Sequence, residues 1–176
     1  MDEIELFKRG IFSLGTNFGE LAQLMIMKLE NYLPADGKYY DLKDSYGQKI
    51  EVKFSRVVKK SKKMTLKSAI SCCLNANMEN RAVSIEDAKN TTYDCNIQQL
   101  KPSEFDILYY GLFFRDKIVI FRANTDVVPQ MPGYSIQHNG GHEYQFHIKK
   151  SNYEFHYQNY KYKKITYQEL YDLLCQ

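Results

Sequence analysis

A chain of 176 residues fits one domain with one core, since domains commonly run to about 100–200 residues. A composition that is 44% hydrophobic and 26% charged excludes wholesale disorder, and a net charge of +3 is too small to argue for a polyanionic partner by itself. No apolar run reaches the roughly 18 residues of a membrane span, and the start Met1-Asp2-Glu3-Ile4-Glu5 is acidic rather than signal-like, so a cytoplasmic protein is expected.

The first forty residues read as helix: Leu21, Leu24, Met25, Lys28 and Leu29 keep helical spacing, Thr16 or Asn17 can cap, and Glu20 supplies the returning carboxylate. Leu33-Pro34 and Asp36-Gly37 stop it. From Tyr39 to Val58 the period changes to two. Tyr40, Leu42, Ile50, Val52 and Phe54 fall on a dry face, and Asp41, Lys43, Glu51, Lys53 and Ser55 on a wet one, which makes a hairpin. Residues 64–80 are weakly helical, with Leu66, Ala69, Ile70, Cys73 and Leu74 on one stripe, and 84–104 are polar and poorly patterned. Phe105–Phe114 and Lys117–Arg122 form two strongly apolar strands, a second hairpin at the sheet centre.

Pro129, Pro132, Gly133, Gly140 and Gly141 mark 129–143 as loop, and alternation predicts edge strands over 144–162. Thr166 and Glu169 form a capping box for a last helix with Leu170, Leu173 and Leu174 inward. Cys72, Cys73, Cys95 and Cys175 have no metal or disulfide spacing and read as reduced core thiols. The expected fold is α/β (α+β), a central mixed β-sheet flanked by helices, in one domain spanning 1–176.

The segment that carries chemistry runs from Asp41 to Lys53. A loop of Ser45-Tyr46-Gly47, with Gly47 left-handed, sets 44 against 48, 42 against 50 and 41 against 51. Asp41 and Glu51 then face each other with Cβ atoms about 4.5–5.5 Å apart and repel unless a cation lies between them. Mg²⁺ suits that position, since it takes oxygen ligands from one or two carboxylates together with phosphate and water. Lys53, two residues on and on the same face, can reach a scissile phosphate. Phosphodiester hydrolysis needs an activated water and charge stabilisation at phosphorus, which such a cation and lysine supply. The same residues also fit a solvated strand face beside a turn.

The pattern Asp-x-x-Asp-x-x-Gly-Gln-x-x-Glu-x-Lys, present as Asp41, Asp44, Gly47, Gln48, Glu51 and Lys53, resembles the active-site hairpin of type II restriction endonucleases of the PD-(D/E)xK superfamily. The close resemblance covers about fifteen residues, and the later apolar hairpin agrees only in character. It implies a restriction-endonuclease-like core in which Asp41 and Glu51 bind Mg²⁺, Lys53 is catalytic, and a homodimer cuts both strands of double-stranded DNA at a short site. Glu20, on the preceding helix, is a candidate further metal carboxylate and equally a helix-start residue. Histidines that the family carries after the active site are replaced here by Lys59–Lys67, so no base specificity transfers.

Lys59, Lys60, Lys62, Lys63 and Lys67 form one basic stretch, and Lys149, Lys150, Lys161, Lys163 and Lys164 a second among tyrosines; each reads as a solvated face or a DNA contact. Gln137, His138 and Asn139 are candidate base or phosphate contacts from a polar loop. His138, His142, His147 and His156 also raise zinc, which Gly140 and Gly141 argue against by breaking the helix that His138 and His142 would need. Besides a restriction enzyme, the chain suits a repair or structure-specific nuclease, or a DNA-binding protein that keeps the scaffold without cutting.

Overall fold

Helix α1 (Glu3–Ser13) and helix α2 (Asn17–Glu30) open the chain as two elements, broken at 14–16. Along α2 the buried residues Phe18, Ala22, Met25 and Ile26 recur at three- and four-residue intervals, which gives one apolar stripe. Neither Thr16 nor Asn17 caps it. Thr16 is itself helical (φ −60°, ψ −33°), so its hydroxyl does not fold back over the first amides. The helix ends at Asn31, whose left-handed backbone (φ 56°) sends its N–H to the Met27 carbonyl. The stop therefore precedes Leu33-Pro34, which make a short strand instead.

The computed structural model describes residues 2–60, 63–138 and 141–176. Its strands are β1 (Leu33–Pro34), β2 (Leu42–Lys43), β3 (Lys49–Arg56), β4 (Asp94–Ile97), β5 (Ile107–Phe113), β6 (Ile118–Asn124), β7 (Ser135–His138), β8 (Gly141–Lys149) and β9 (Lys161–Ile165). Six make a central mixed sheet in the order β1-β2-β3-β5-β6-β9, and three make a smaller one in the order β4-β8-β7. The later helices are α3 (Ala69–Leu74), α4 (Ile85–Ala88), α5 (Tyr153–Tyr160) and α6 (Tyr167–Cys175). The large sheet is covered on one face by α1, α2 and α6, and on the other by the small sheet and α5.

The turn sets the register as its chemistry predicts. Gly47 has φ 83°, its N–H donates to the Asp44 carbonyl, and Leu42 pairs with Ile50 and Lys43 with Lys49. Pairing then stops early. The Asp41 N–H donates to the Ile50 carbonyl at 2.9 Å, so Asp41 has left the ladder and is no squared-up rung with Glu51. Tyr40 also leaves the dry face: it is half-buried, and its hydroxyl donates to Asp36. Beyond Ile50, β3 runs parallel to β5, from Ile50 against Ile107 to Arg56 against Phe113.

Strands β5 and β6 form the expected hairpin at the sheet centre, with every residue of β5 buried. Gly111 stands there because a Cβ would lie 2.3 Å from the Phe54 ring and 2.4 Å from the Val119 carbonyl oxygen. The ring can turn, but the paired carbonyl cannot. Gly111→Ala is expected to cost about 1–3 kcal/mol in urea unfolding; wild-type stability in that variant would show that the strands part freely.

Several expectations need correction. The 64–80 stripe is not a core face: Leu66, Ile70 and Leu74 are 97%, 76% and 79% exposed, and the region holds a short α-helix at Ala69–Leu74 and a 3-10 turn starting at Met78. The 129–143 region holds β7 and the start of β8. Residues 153–160 are helix, not edge strand, because Tyr153, His156, Tyr157 and Tyr160 also lie at helical spacing and pack on the small-sheet side of the core. Only Cys95 is a core thiol; Cys72 is half-buried, and Cys73 and Cys175 are exposed. The Thr166–Glu169 capping box is formed, and Leu170 is fully buried. Among the described residues no helix is long and apolar enough to cross a membrane.

Candidate active site

Asp41 sits on the bend before β2, while Glu51 and Lys53 alternate with the core residues Ile50 and Val52 along β3. Having left the ladder, Asp41 is held through its side chain. Its Oδ2 accepts the Val52 N–H at 2.8 Å, and its Oδ1 accepts the Gln23 side-chain amide of α2 at 2.6 Å. A carboxylate thus continues the hydrogen bonding where the short strand stops. Lys53 Nζ lies 2.5 Å from Glu51 Oε1 and 3.4 Å from Asp41 Oδ2, so one ammonium bridges both acids.

These three residues border a cleft of about 450 Å³. Lys38, Tyr39 and Tyr40 also line it. So do Gln98 and Gln99 just past β4, Glu143 of β8, and Lys101 and Glu104. The lip is built from unusual backbone: Gln99 (φ 63°) and Tyr144 (φ 48°) are both left-handed, and Gln99 N–H donates to the Glu143 carbonyl. Strain of this sort persists only where surrounding contacts impose it.

Burial pushes the Glu51 carboxyl up to about 7; Lys53 opposes that rise, while Asp41 and Glu104 add to it. Burial also works against the Lys53 ammonium, but the Glu51 and Asp41 carboxylates outweigh it and hold the lysine above its usual value. The pocket is therefore short of positive charge near neutral pH. Two hard oxygen donors sharing one ammonium suit a small divalent cation. Among the described residues no three His, Cys, Asp or Glu side chains converge to hold a metal alone, so such a cation would draw further ligands from water and substrate, as Mg²⁺ does.

The structure brings Asp41, Glu51 and Lys53 together and leaves other candidates apart. Glu20 is exposed and does not border the cleft; Gln23, one turn later on α2, makes the helix contact instead. Lys59, Lys60 and Lys63 are exposed and lie away from the cleft. Lys62 and Asn139 fall outside the described residues, as do the side chains of Gln137 and His138, whose backbones belong to β7. His147 is paired with Asp94 at 2.6 Å, and His156 is buried against the Tyr110 hydroxyl at 3.0 Å, so these two do not join a zinc site. His138 and His142 flank a hairpin rather than sharing a helix face.

Sequence reasoning missed Gln23, Gln98, Gln99, Lys101, Glu104 and Glu143. Gln23 lies three residues beyond Glu20 on α2, and no motif singled it out. The wall residues follow from contacts across the fold that no local period reports. No protein-family model matches the chain, and a comparison with curated proteins finds no match either.

Proposed function

We propose that the protein is a Mg²⁺-dependent endodeoxyribonuclease of the type II restriction-endonuclease kind, hydrolysing phosphodiester bonds of double-stranded DNA at a short site in the cytoplasm. The observation that carries this reading is the convergence of Asp41, Glu51 and Lys53 at one edge of a polar cleft, two carboxylates bridged by an ammonium. The resemblance of the 41–53 segment to the PD-(D/E)xK hairpin agrees with it. Cutting both strands calls for two such sites, hence a homodimer.

Held by Asp41 and Glu51, Mg²⁺ would supply an acidified water and a Lewis acid for a phosphoryl oxygen. The chain's own groups do the positioning. Val52 N–H and the Gln23 amide fix the plane of the Asp41 carboxylate. Lys53 stays protonated at neutral pH and offsets charge that develops on the phosphate in the transition state. Glu51 ionises near pH 7, so the pair reaches its full double charge only as pH rises through neutrality.

Gln23→Leu keeps the helix and removes the amide from Asp41. Cation affinity and cleavage are expected to fall by about 10–100-fold, the usual loss when a residue orienting a metal ligand is removed. The measurement is Mn²⁺ titration alongside thermal melting, and unaltered affinity in a folded variant would remove Gln23 from the account. The function itself is tested with purified protein, plasmid DNA and Mg²⁺. Discrete fragments are expected. A smear or nicks alone would point to a repair or structure-specific nuclease, and tight binding without cleavage in Mg²⁺ or Mn²⁺ to a non-catalytic DNA-binding protein.

A further inference from the structure

The two basic stretches of the sequence, some ninety residues apart in the chain, meet in space. Lys60 from the first and Lys149 and Lys150 from the second border one open hollow of about 400 Å³, together with Thr92, Tyr93, Asp94 and Ser151. All three lysines are exposed, as are Thr92 and Ser151. Like charges on flexible stems gain nothing by gathering at a surface, since water screens them equally well apart. A shared anionic ligand gives the gathering a purpose.

Two features sharpen this. The hollow's own acid is already engaged: Asp94 accepts from His147 at 2.6 Å and lies 3.7 Å from Lys149. Lys60 and Lys150 have no carboxylate within ion-pair distance among the described residues. The second feature is the start of α5, which follows Ser151 directly. Asn152 stands at the cap position without capping, because its Oδ1 accepts from the Lys149 N–H and its Nδ2 donates to the His147 carbonyl. The first turn of α5 therefore has no side-chain cap from Asn152, and Ser151, which borders the hollow, directly precedes that turn. Glu154 in that turn opposes an anion, and it already accepts from Gln158. Helix N-terminal amides with nearby lysines favour phosphate.

We propose that Lys60, Lys149, Lys150, Thr92, Ser151 and the start of α5 bind a backbone phosphate of duplex DNA. This rests on the nuclease reading and adds to it. Strand β4 joins the two places: Asp94 borders the hollow and Gln98, four residues on, borders the catalytic cleft. At strand rise that is about 13 Å, the axial length of about four base pairs. One duplex can therefore engage both, with the hollow setting its register and carrying no base information.

The test is fluorescence anisotropy of a labelled duplex over a NaCl series in EDTA, where no cutting occurs. Wild type is compared with Lys60→Ala/Lys149→Ala/Lys150→Ala and with a control, Lys28→Ala, an exposed residue of α2 outside both basic stretches. Each neutralised phosphate contributes about 0.9 to the slope of log K against log salt. The triple variant should lose roughly 1–3 of that slope, bind more weakly at every salt and keep its melting temperature, while the control matches wild type. A salt slope in the triple variant equal to that of a DNA-binding wild type overturns the phosphate site alone. Absence of duplex binding by wild type at low salt overturns the site and the nuclease reading together.

Discussion

Asp41→Ala and Lys53→Ala are each expected to abolish cleavage, but to move DNA binding in opposite directions. Removing Asp41 deletes a cation ligand together with the carboxylate that accepts from Gln23, Val52 and Lys53. A bound cation is worth several kcal/mol of transition-state stabilisation, so the rate should fall by about a thousandfold or more. In EDTA, however, one negative charge no longer faces the phosphates, and duplex binding should hold or tighten. Lys53→Ala leaves both carboxylates and removes the ammonium between them. Its rate should fall by about 100–1,000-fold, the range for loss of one transition-state donor, and metal-free binding should weaken. Core residues Leu42, Ile50 and Val52 are untouched in both, so circular dichroism should match wild type. Near-normal cleavage by folded Asp41→Ala would disprove the site.

Glu51→Gln is expected to make the metal-free protein more stable and inactive at once. The folded carboxyl titrates at about 7 rather than 4.5 because burial penalises its charge. A raised folded pKa means that the unfolded chain gives up this proton first as pH rises. The stability tied to the protonated acid is complete below pH 4.5 and is lost as pH rises through 7. Glutamine is never charged, so it escapes that loss. In EDTA at pH 8 the variant should exceed wild type by up to about 3 kcal/mol in urea unfolding, and the two should converge near pH 4. Lys53 keeps Asp41 at 3.4 Å and an amide oxygen in place of its nearer partner, so it is not stranded. A variant less stable than wild type at pH 8 would show that the ion pair outweighs the buried charge.

The segment from Asp41 to Lys53 was legible because its signals agreed with one another. Gly47 called for a left-handed turn, and Ile50 and Val52 alternated with Glu51 and Lys53, so turn and period indicated the same register, and Leu42 does pair with Ile50. The capping box at Thr166 and the apolar pair β5 and β6 were legible for the same reason. Tyr153–Tyr160 misled because aromatics there satisfy two periods, alternating as in a strand while Tyr153, His156, Tyr157 and Tyr160 also line one helix side. The exposed Leu66, Ile70 and Leu74 misled differently, since spacing reports a stripe and not what covers it. Gln23 and the wall residues Gln98, Gln99 and Glu143 were out of reach for a third reason. Each acts through a neighbour distant in the chain, and the small sheet that carries the wall includes strands of only four residues, too short to show a period.

The central claim is that Asp41 and Glu51 together hold a divalent cation, and calorimetric titration of Mn²⁺ into the DNA-free protein at pH 8 tests it most directly. One site per chain is predicted in wild type, lost in Asp41→Ala and in Glu51→Gln but kept in Lys53→Ala. Mn²⁺ binding of equal strength in wild type and both carboxylate variants, or none in wild type with or without added duplex, would contradict it.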